Sequence, residues 1–467
     1  MDVTQHLGTE ERPVRIAIIG AGPAAFYAVE ALLKHRDRVC QIDMFNRLPT
    51  PFGLVRDGVA PDHQSIKGAT RIYDRIAQNP NVRYFGNVTF GTHISHEDLK
   101  PLYDQIVYAV GSQADRRMGI PGEDLYGSYP ATEFVGWYNG HPDYCRMQFD
   151  LSHERAVVVG NGNVAMDVAR ILLTDPDELA RTDIADYALA ALRESCVREV
   201  IMLGRRGPAQ AAFTNPEIKE FGNLAGVDAL VDPADLELDE QSAASLADNK
   251  VAAKNVEILQ GFAARGRTGA DRAIFMRFLV SPVELIGQDN RVVAVKVERN
   301  KLQGDRVGGL RACGTGQFEI IEAGLVLRSV GYRGVPLSGV PFDDSTYTIP
   351  NVAGRVVLES TGEPLPGEYV VGWIKRGPSG VIGTNKPDSV STVAAMVEDW
   401  ETLPGIADEN RDRSNIEALL KERKPDYVTY ADWQVLDRYE VACGAECDRP
   451  RVKVTNLPAM LDVMRRG

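Results

Sequence analysis

An α/β protein with two Rossmann-like dinucleotide-binding units is what this sequence predicts, on three observations. The chain of 467 residues is longer than one hydrophobic core usually serves, so two domains are expected. Its composition, with 44% apolar and 25% charged residues, is that of an ordinary globular protein. One layout also occurs twice: "VRIAIIGAGPAAFYAVEALL" at 14–33 and "VVVGNGNVAMDVARIL" at 157–172 are each a short apolar strand, a glycine-rich turn and the start of an amphipathic helix.

In the first copy Val14, Ile16, Ile18 and Ile19 form the strand, and Phe26, Val29, Leu32 and Leu33 recur at helical spacing. Between them Gly20, Gly22 and Ala25 make a GxGxxA fingerprint. The first glycine permits a tight turn, the second lets backbone approach a pyrophosphate, and the small third residue lets helix and strand pack closely. In the second copy Gly160, Asn161, Gly162, Asn163 and Val164 follow the strand 156–159. Such a motif alone is also compatible with a plain strand-to-helix turn; strand and helix on both sides make it a cradle. Two cradles imply two dinucleotides, one retained and one exchangeable, which is the layout of a flavoprotein that uses a nicotinamide.

The residue ending the next strand faces the adenosine ribose. After the second cradle, "REVIMLG" ends at Arg205 and Arg206, two guanidiniums suited to a 2'-phosphate, so NADP is favoured over NAD; a solvated arginine pair is the bland alternative. After the first cradle the strand "QIDMF" ends at Asn46, a neutral group where an acid is usual, so weaker flavin binding is expected.

A formal charge of −13 argues against a nucleic-acid coat or an anionic-membrane binder. No apolar run is long enough for a membrane-spanning helix, and "MDVTQHLGTEERPVR" has neither the basic lead nor the apolar core of a signal peptide, so a cytoplasmic protein without membrane insertion is expected. Six scattered cysteines include no CxxC pair and no clustered set for an iron–sulfur centre, and Cys443 with Cys447 lacks the second pair a metal site needs. No metal is expected.

The segments "PTPFGLVRDGVAPDH", "GNGNVAMDVARILLTDP", "GRRGPAQAAFTNPEIKE", "RSVGYRGVP" and "GWIKRGPSGVIGTNKPDS" resemble, in order, the adrenodoxin-reductase type of ferredoxin-NADP reductase, in its bacterial, mycobacterial-type form. The resemblance implies an FAD domain made of residues 1–112 and 334–467, with an NADP domain, 113–333, inserted between them. It implies FAD contacts at Ala24, Asn46, Leu54, Phe90, Trp373, Gly380, Val381 and Ile382, and NADP contacts at Arg116, Asn161 to Val164, Arg205, Arg206, Glu217 and Gly380. It places His63 near the flavin, with a proton-handling or electrostatic role, and Glu220 near the nicotinamide, and makes these two the candidate catalytic residues. For each, an ordinary structural or surface role stays open.

The implied activity is NADPH:ferredoxin oxidoreduction, reversible, through FAD to a separate ferredoxin-type iron–sulfur protein. No nucleic-acid partner is implied, and a monomer or weak homo-oligomer is expected. An acidic carrier calls for a local basic face, for which Arg265, Arg267, Arg272 and Arg277 are candidates by density alone. Two other readings stand beside this one: a flavin-dependent NADPH reductase of a small molecule, and an NADPH-binding sensor or assembly subunit with a decayed flavin site. Along the chain, 228–254 reads as a helical surface excursion, "RFLVSPVELIG" and "RVVAVKVERN" as a small antiparallel addition, and a helix starts near Val390.

Overall fold

The computed structural model describes residues 7–35, 37–304 and 309–466. The first residues of the leader reading, 1–6, lie outside the described residues. Two sheets carry the fold. The first runs Asn351–Val352, Arg355–Val357, Pro364–Val370, Gln105–Tyr108, Val14–Ile19, Cys40–Phe45 and Val82–Phe85 from edge to edge. The second runs Ser128–Pro130, Leu325–Arg328, Arg155–Val159, Glu199–Gly204, Arg272–Phe278 and Val227–Val231. The inserted two-Rossmann architecture is thus visible in which strands pair. The first sheet takes strands from both ends of the chain, whereas every strand of the second comes from its middle.

Val14–Ile19 is buried at every position, as a central parallel strand covered by helices on both faces must be. Helices Pro23–Leu33 and Asn385–Asp399 pack on one face through Phe26, Val29, Val393 and Met396. In each sheet the strand order reverses beside the strand that feeds a glycine turn. Val14–Ile19 lies between Cys40–Phe45 and Gln105–Tyr108, and Arg155–Val159 lies between Glu199–Gly204 and Leu325–Arg328. Both cradles therefore open at topological switch points, where helices leave opposite faces and a crevice forms.

Some local expectations differ from what forms. The stretch from residue 228 begins as the buried edge strand Val227–Val231 and becomes helical only later, at Glu240–Ser245 and Lys250–Arg265, because Val227, Ala229 and Val231 join the core. The antiparallel addition has a third strand, Leu310–Glu322, beside Val280–Gln288 and Arg291–Gly304. The helix expected near Val390 begins at Asn385. Its first turn shows no apolar periodicity because polar groups there bind neighbouring backbone: Asp388 accepts from Gly372 N at 2.7 Å and Ser389 donates to Ala24 O at 2.9 Å.

Between the sheets, Ala114–Asp115 pairs antiparallel with Tyr332–Arg333 where the chain crosses in each direction. The C-terminal helix Tyr430–Ala445, started by a capping box of Thr429 and Asp432, adds a second tie. Its Glu440 receives both Arg56 Nη atoms at 2.8 and 2.7 Å, fully inside the protein. Further on, Arg449 binds the Thr182 and Ile184 carbonyls and Asp186, while Lys453 donates to Asn139 O at 3.0 Å.

Burial opposes the charge on Glu440, but Arg56 and Arg451 outweigh it and hold the carboxyl below its ordinary 4.5. Its contribution to stability is therefore present above that value and is lost as pH falls through the lower folded value. Glu440→Gln leaves Arg56 buried without its main counter-charge, so the unfolding free energy should fall by about 3–5 kcal/mol in a denaturant titration at neutral pH. The gap between variant and parent should close at acid pH.

Candidate functional site

The first cradle is built by backbone. Gly20 has φ +111°, and a Cβ there would lie 2.5 Å from the Ala109 carbonyl oxygen, so only glycine fits this turn. Gly22 precedes the helix Pro23–Leu33 with no atom within 4 Å of where its Cβ would be, which leaves free helix N–H groups facing open space. That is the shape a pyrophosphate needs. Ala24 follows, its methyl so close to Gly372 that a Cβ on Gly372 would come within 2.7 Å of it. Asn46 donates Nδ2 to the Leu48 and Thr50 carbonyls, both at 3.0 Å, which fixes the amide orientation and leaves Oδ1 as the free acceptor. A ribose hydroxyl can donate to that oxygen. That the same amide also holds the loop has no local signature in the residues around it.

Around this cradle, Leu54 is 44% and Val381 50% exposed, while Ile382 is partly buried. Phe90 stands edge-on to Tyr108 at 6.0 Å. Trp373 lies tilted against Tyr332 at 5.4 Å and donates Nε1 to Ser379 O, and Gly380 holds φ +78° in the turn that follows.

The second cradle repeats the geometry. Gly160 has φ +135° against the Ser329 carbonyl, and Gly162 caps the helix Asn163–Leu173 with open space at its Cβ position. Asn161 O accepts from Ala212 N, Asn163 Oδ1 accepts from Thr214 N at 2.9 Å, and Val164 is half-buried against the core. Beyond the strand Glu199–Gly204, Arg205 is exposed and Arg206 half-buried, and neither has an acidic partner among the described residues. Burial first, then Arg205, pull the Arg206 guanidinium below its ordinary value. Two close, unneutralised guanidiniums suit a doubly charged phosphate. Asn300, from a bulged strand far away in sequence, donates to Arg205 O at 2.9 Å and holds this turn; nothing in the sequence pointed to it. Arg116 stands where the chain crosses between the sheets, its backbone N–H donating to Gly331 O. It donates to Tyr332 O and covers the Tyr347 ring.

A cluster of charges joins the two halves. His63 Nε2 bonds Glu220 at 3.0 Å and its Nδ1 lies 3.7 Å from Asp167. Arg170, from the second cradle's helix, reaches Asp62 at 2.7 Å, Asp167 at 2.7 Å, Glu220 at 3.1 Å and Glu217 at 3.5 Å. Burial disfavours a charge on His63, but the Glu220 bond, aided by Asp167 and Asp62, outweighs burial and Arg170 and holds the imidazole above its ordinary 6.5. Burial, then Asp167, push Glu217 up to about 7, so its carboxyl is partly protonated near neutrality. Ligand atoms of His63, Asp167 and Glu217 come within 4.8 Å of one another, yet Arg170 already supplies the cation among them. The sequence flagged His63, Glu217 and Glu220; Asp62 and the hub role of Arg170 it did not.

Arg265, Arg267, Arg272 and Arg277 form no free basic face. Arg267 bonds Glu199, Arg272 the Leu173 carbonyl, Arg277 Glu319, and Arg265 lies over Phe262. All six cysteines are free.

Two phosphate cradles at two switch points, one beside unpaired arginines, define a flavin- and nicotinamide-dependent oxidoreductase. The pyridine nucleotide-disulphide oxidoreductase family profile matches residues 14–206. The chain is 48% identical over 463 residues to NADPH-ferredoxin reductase FprA of Mycobacterium tuberculosis, covering 97% of this chain and 99% of that one. It is 40% identical over 462 residues to the mitochondrial NADPH:adrenodoxin oxidoreductase of Arabidopsis thaliana, covering 96% and 95%. The solved structure of M. tuberculosis FprA in complex with NADPH superposes with a TM-score of 0.92 at 48% identity over 97% of this chain and 100% of that one. The chain belongs to the adrenodoxin-reductase-type family of NADPH-ferredoxin reductases.

Replacing Arg205 and Arg206 by alanine removes charge-assisted bonds worth about 1.5–3 kcal/mol each. The Michaelis constant for NADPH should rise at least about tenfold while that for NADH barely moves; an equal rise would refute the 2'-phosphate assignment. Asn46→Asp replaces an amide donor by a charge facing two carbonyls, so FAD should dissociate faster on dilution, despite the acid's greater attraction for ribose hydroxyls. Fluorescence of released flavin reads this directly.

Proposed function

We propose that the chain is an NADPH:ferredoxin oxidoreductase whose FAD is held by residues 1–112 with 334–467 and whose NADP is held by 113–333. The observation that carries this is the twin set of glycine cradles, one of them ending beside Arg205 and Arg206 with no acid to neutralise them. The chemistry of both donor sets fits the two cofactors: open helix N-termini for pyrophosphates, Asn46 Oδ1 for a ribose, and an arginine pair for a 2'-phosphate. When bound, FAD supplies a group that takes a hydride from NADPH and can give electrons up singly to an iron–sulfur carrier.

The chain's own part is positioning. In this reading Gly20, Gly22, Ala24, Asn46, Leu54 and Phe90 hold FAD from one segment, and Trp373, Gly380, Val381 and Ile382 hold it from the other. Asn161, Gly162, Asn163, Val164, Arg205, Arg206, Arg116 and Glu217 hold NADP. In the same reading Trp373 and Tyr332 keep water from the ring faces, and the Glu220 bond favours the protonated, positively charged form of the His63 imidazole where the two halves meet. A group that holds charge there favours the reduced, more negative flavin.

Relatives named NADPH-ferredoxin reductase and adrenodoxin oxidoreductase support a ferredoxin-type partner. No described helix is long and apolar enough to cross a membrane, and the reading is of a cytoplasmic enzyme, monomeric or weakly self-associating. The chain has no CxxC pair, which argues against dithiol chemistry, and the intact first cradle argues against a sensor with a decayed flavin site.

With the four candidate arginines engaged, steering of an acidic carrier passes to other cations, and Lys219, exposed beside Glu220 and without an acidic partner among the described residues, is one. The test is anaerobic stopped-flow spectroscopy. The purified protein should show bound-flavin absorbance that bleaches on NADPH addition and returns on addition of an oxidised ferredoxin, and added salt should slow the second phase more than reduction of a neutral dye. Absence of flavin, or absence of bleaching, would sink the reading; parallel salt curves would sink the steering.

A further inference from the structure

Behind the flavin-side loop 52–56 lies a cavity of ≈ 510 Å³ that none of the residues assigned to FAD or NADP lines. Its walls come from the loop and helices at 52–74, from Asp183 of the middle segment, and from 433–453 of the C-terminal part. Six cations face it: Arg56, Lys67, Arg71, Arg438, Arg451 and Lys453.

Five carboxyls, Asp57, Asp74, Asp183, Asp437 and Glu440, stand against the six cations, Asp57 being 3.7 Å from Arg56, so the set keeps an excess of positive charge. Asp183 alone serves two buried ammonium groups, Lys67 at 2.6 Å and Lys453 at 3.3 Å. Glu440 is shared by Arg56 and Arg451 at 2.7 and 3.1 Å. Asp437 bonds Arg451, and Asp74 is taken by Tyr430 and Gln78. Arg71 and Arg438 are exposed and have no acidic partner among the described residues. Burial, then Lys453, push Lys67 down to about 7.

We propose that this cavity is a binding site for a small phosphate-bearing anion, held at its mouth by Arg71 and Arg438 and drawn inward by Lys67, Arg451 and Lys453. A concave pocket with charges set on several walls suits a compact polyanion that several donors can reach at once. An acidic protein loop would meet the two mouth arginines but not the ammonium groups within. Because the walls come from both sheets' segments, an occupant would also tie the halves of the molecule together.

Isothermal calorimetry of the FAD-loaded enzyme tests this with inorganic pyrophosphate as probe. NADP is titrated first to saturation, which fills the second cradle; failure of that first titration would count against the proposed function, not against this site. Pyrophosphate should then bind once per chain, and the Arg71→Ala/Arg438→Ala variant should bind it at least about tenfold more weakly with an unchanged Michaelis constant for NADPH. The proposal is overturned by any of three results: no saturable binding at millimolar pyrophosphate, equal binding by the variant, or binding seen only when NADP is left out. Thermal unfolding of the variant matching the parent without ligand would establish that the loss is of binding, and a variant that does not fold would be replaced by Arg71→Gln/Arg438→Gln under the same criteria.

Discussion

In each half of the molecule one strand must turn into one helix with no side chain in the way. At Gly20 and Gly160 any Cβ would run into a carbonyl of the neighbouring strand, and at Gly22 and Gly162 the space that a Cβ would take is kept open. Everything else in the dinucleotide reading depends on these four positions. They set the helix N–H groups at the switch point of each sheet, so that a phosphate meets unpaired donors rather than packed atoms. In that reading the arginine pair, Asn46 and Trp373 would only add identity to a shape that backbone has already made.

Where those halves meet, electrostatics replaces packing. Arg170 sits among Asp62, Asp167, Glu217 and Glu220, four carboxyls and one guanidinium within ion-pair reach, with His63 as the sixth member. Such a group cannot carry all its charges in a low-dielectric setting. Burial and the neighbouring charges raise the proton affinity of Asp167, Glu217 and the His63 imidazole above their ordinary values, which is how such a set sheds part of its excess negative charge.

How much of this could be read beforehand follows from sequence distance. The cradles were legible because a strand, two glycines with a small third residue and a helix lie within twenty residues or so. The arginine pair was legible because it ends a recognisable strand. Asp62 and Arg170 were not, being 108 residues apart, and Asn300 stands 95 residues from the carbonyl it holds. The arginine-dense stretch misled for the same reason: Arg267, Arg272 and Arg277 have partners from distant strands or helices, which local charge density cannot reveal, and Arg265 lies over Phe262 of its own helix. The edge strand at 227–231 was hidden by the acidic, alanine-rich residues that follow it.

The pairing of Arg56 with Glu440 spans 384 residues, and the strand Pro364–Val370 completes a sheet begun at Val14. During synthesis the middle of the chain is finished long before its flanks can meet. The inserted unit, with its own sheet and core, has the contacts it needs to fold first, and by folding it brings its two ends side by side at Ala114–Asp115 and Tyr332–Arg333. What would have been a very long and entropically costly closure then becomes a short one, so the later-made nucleotide cleft would inherit its speed of assembly from the earlier.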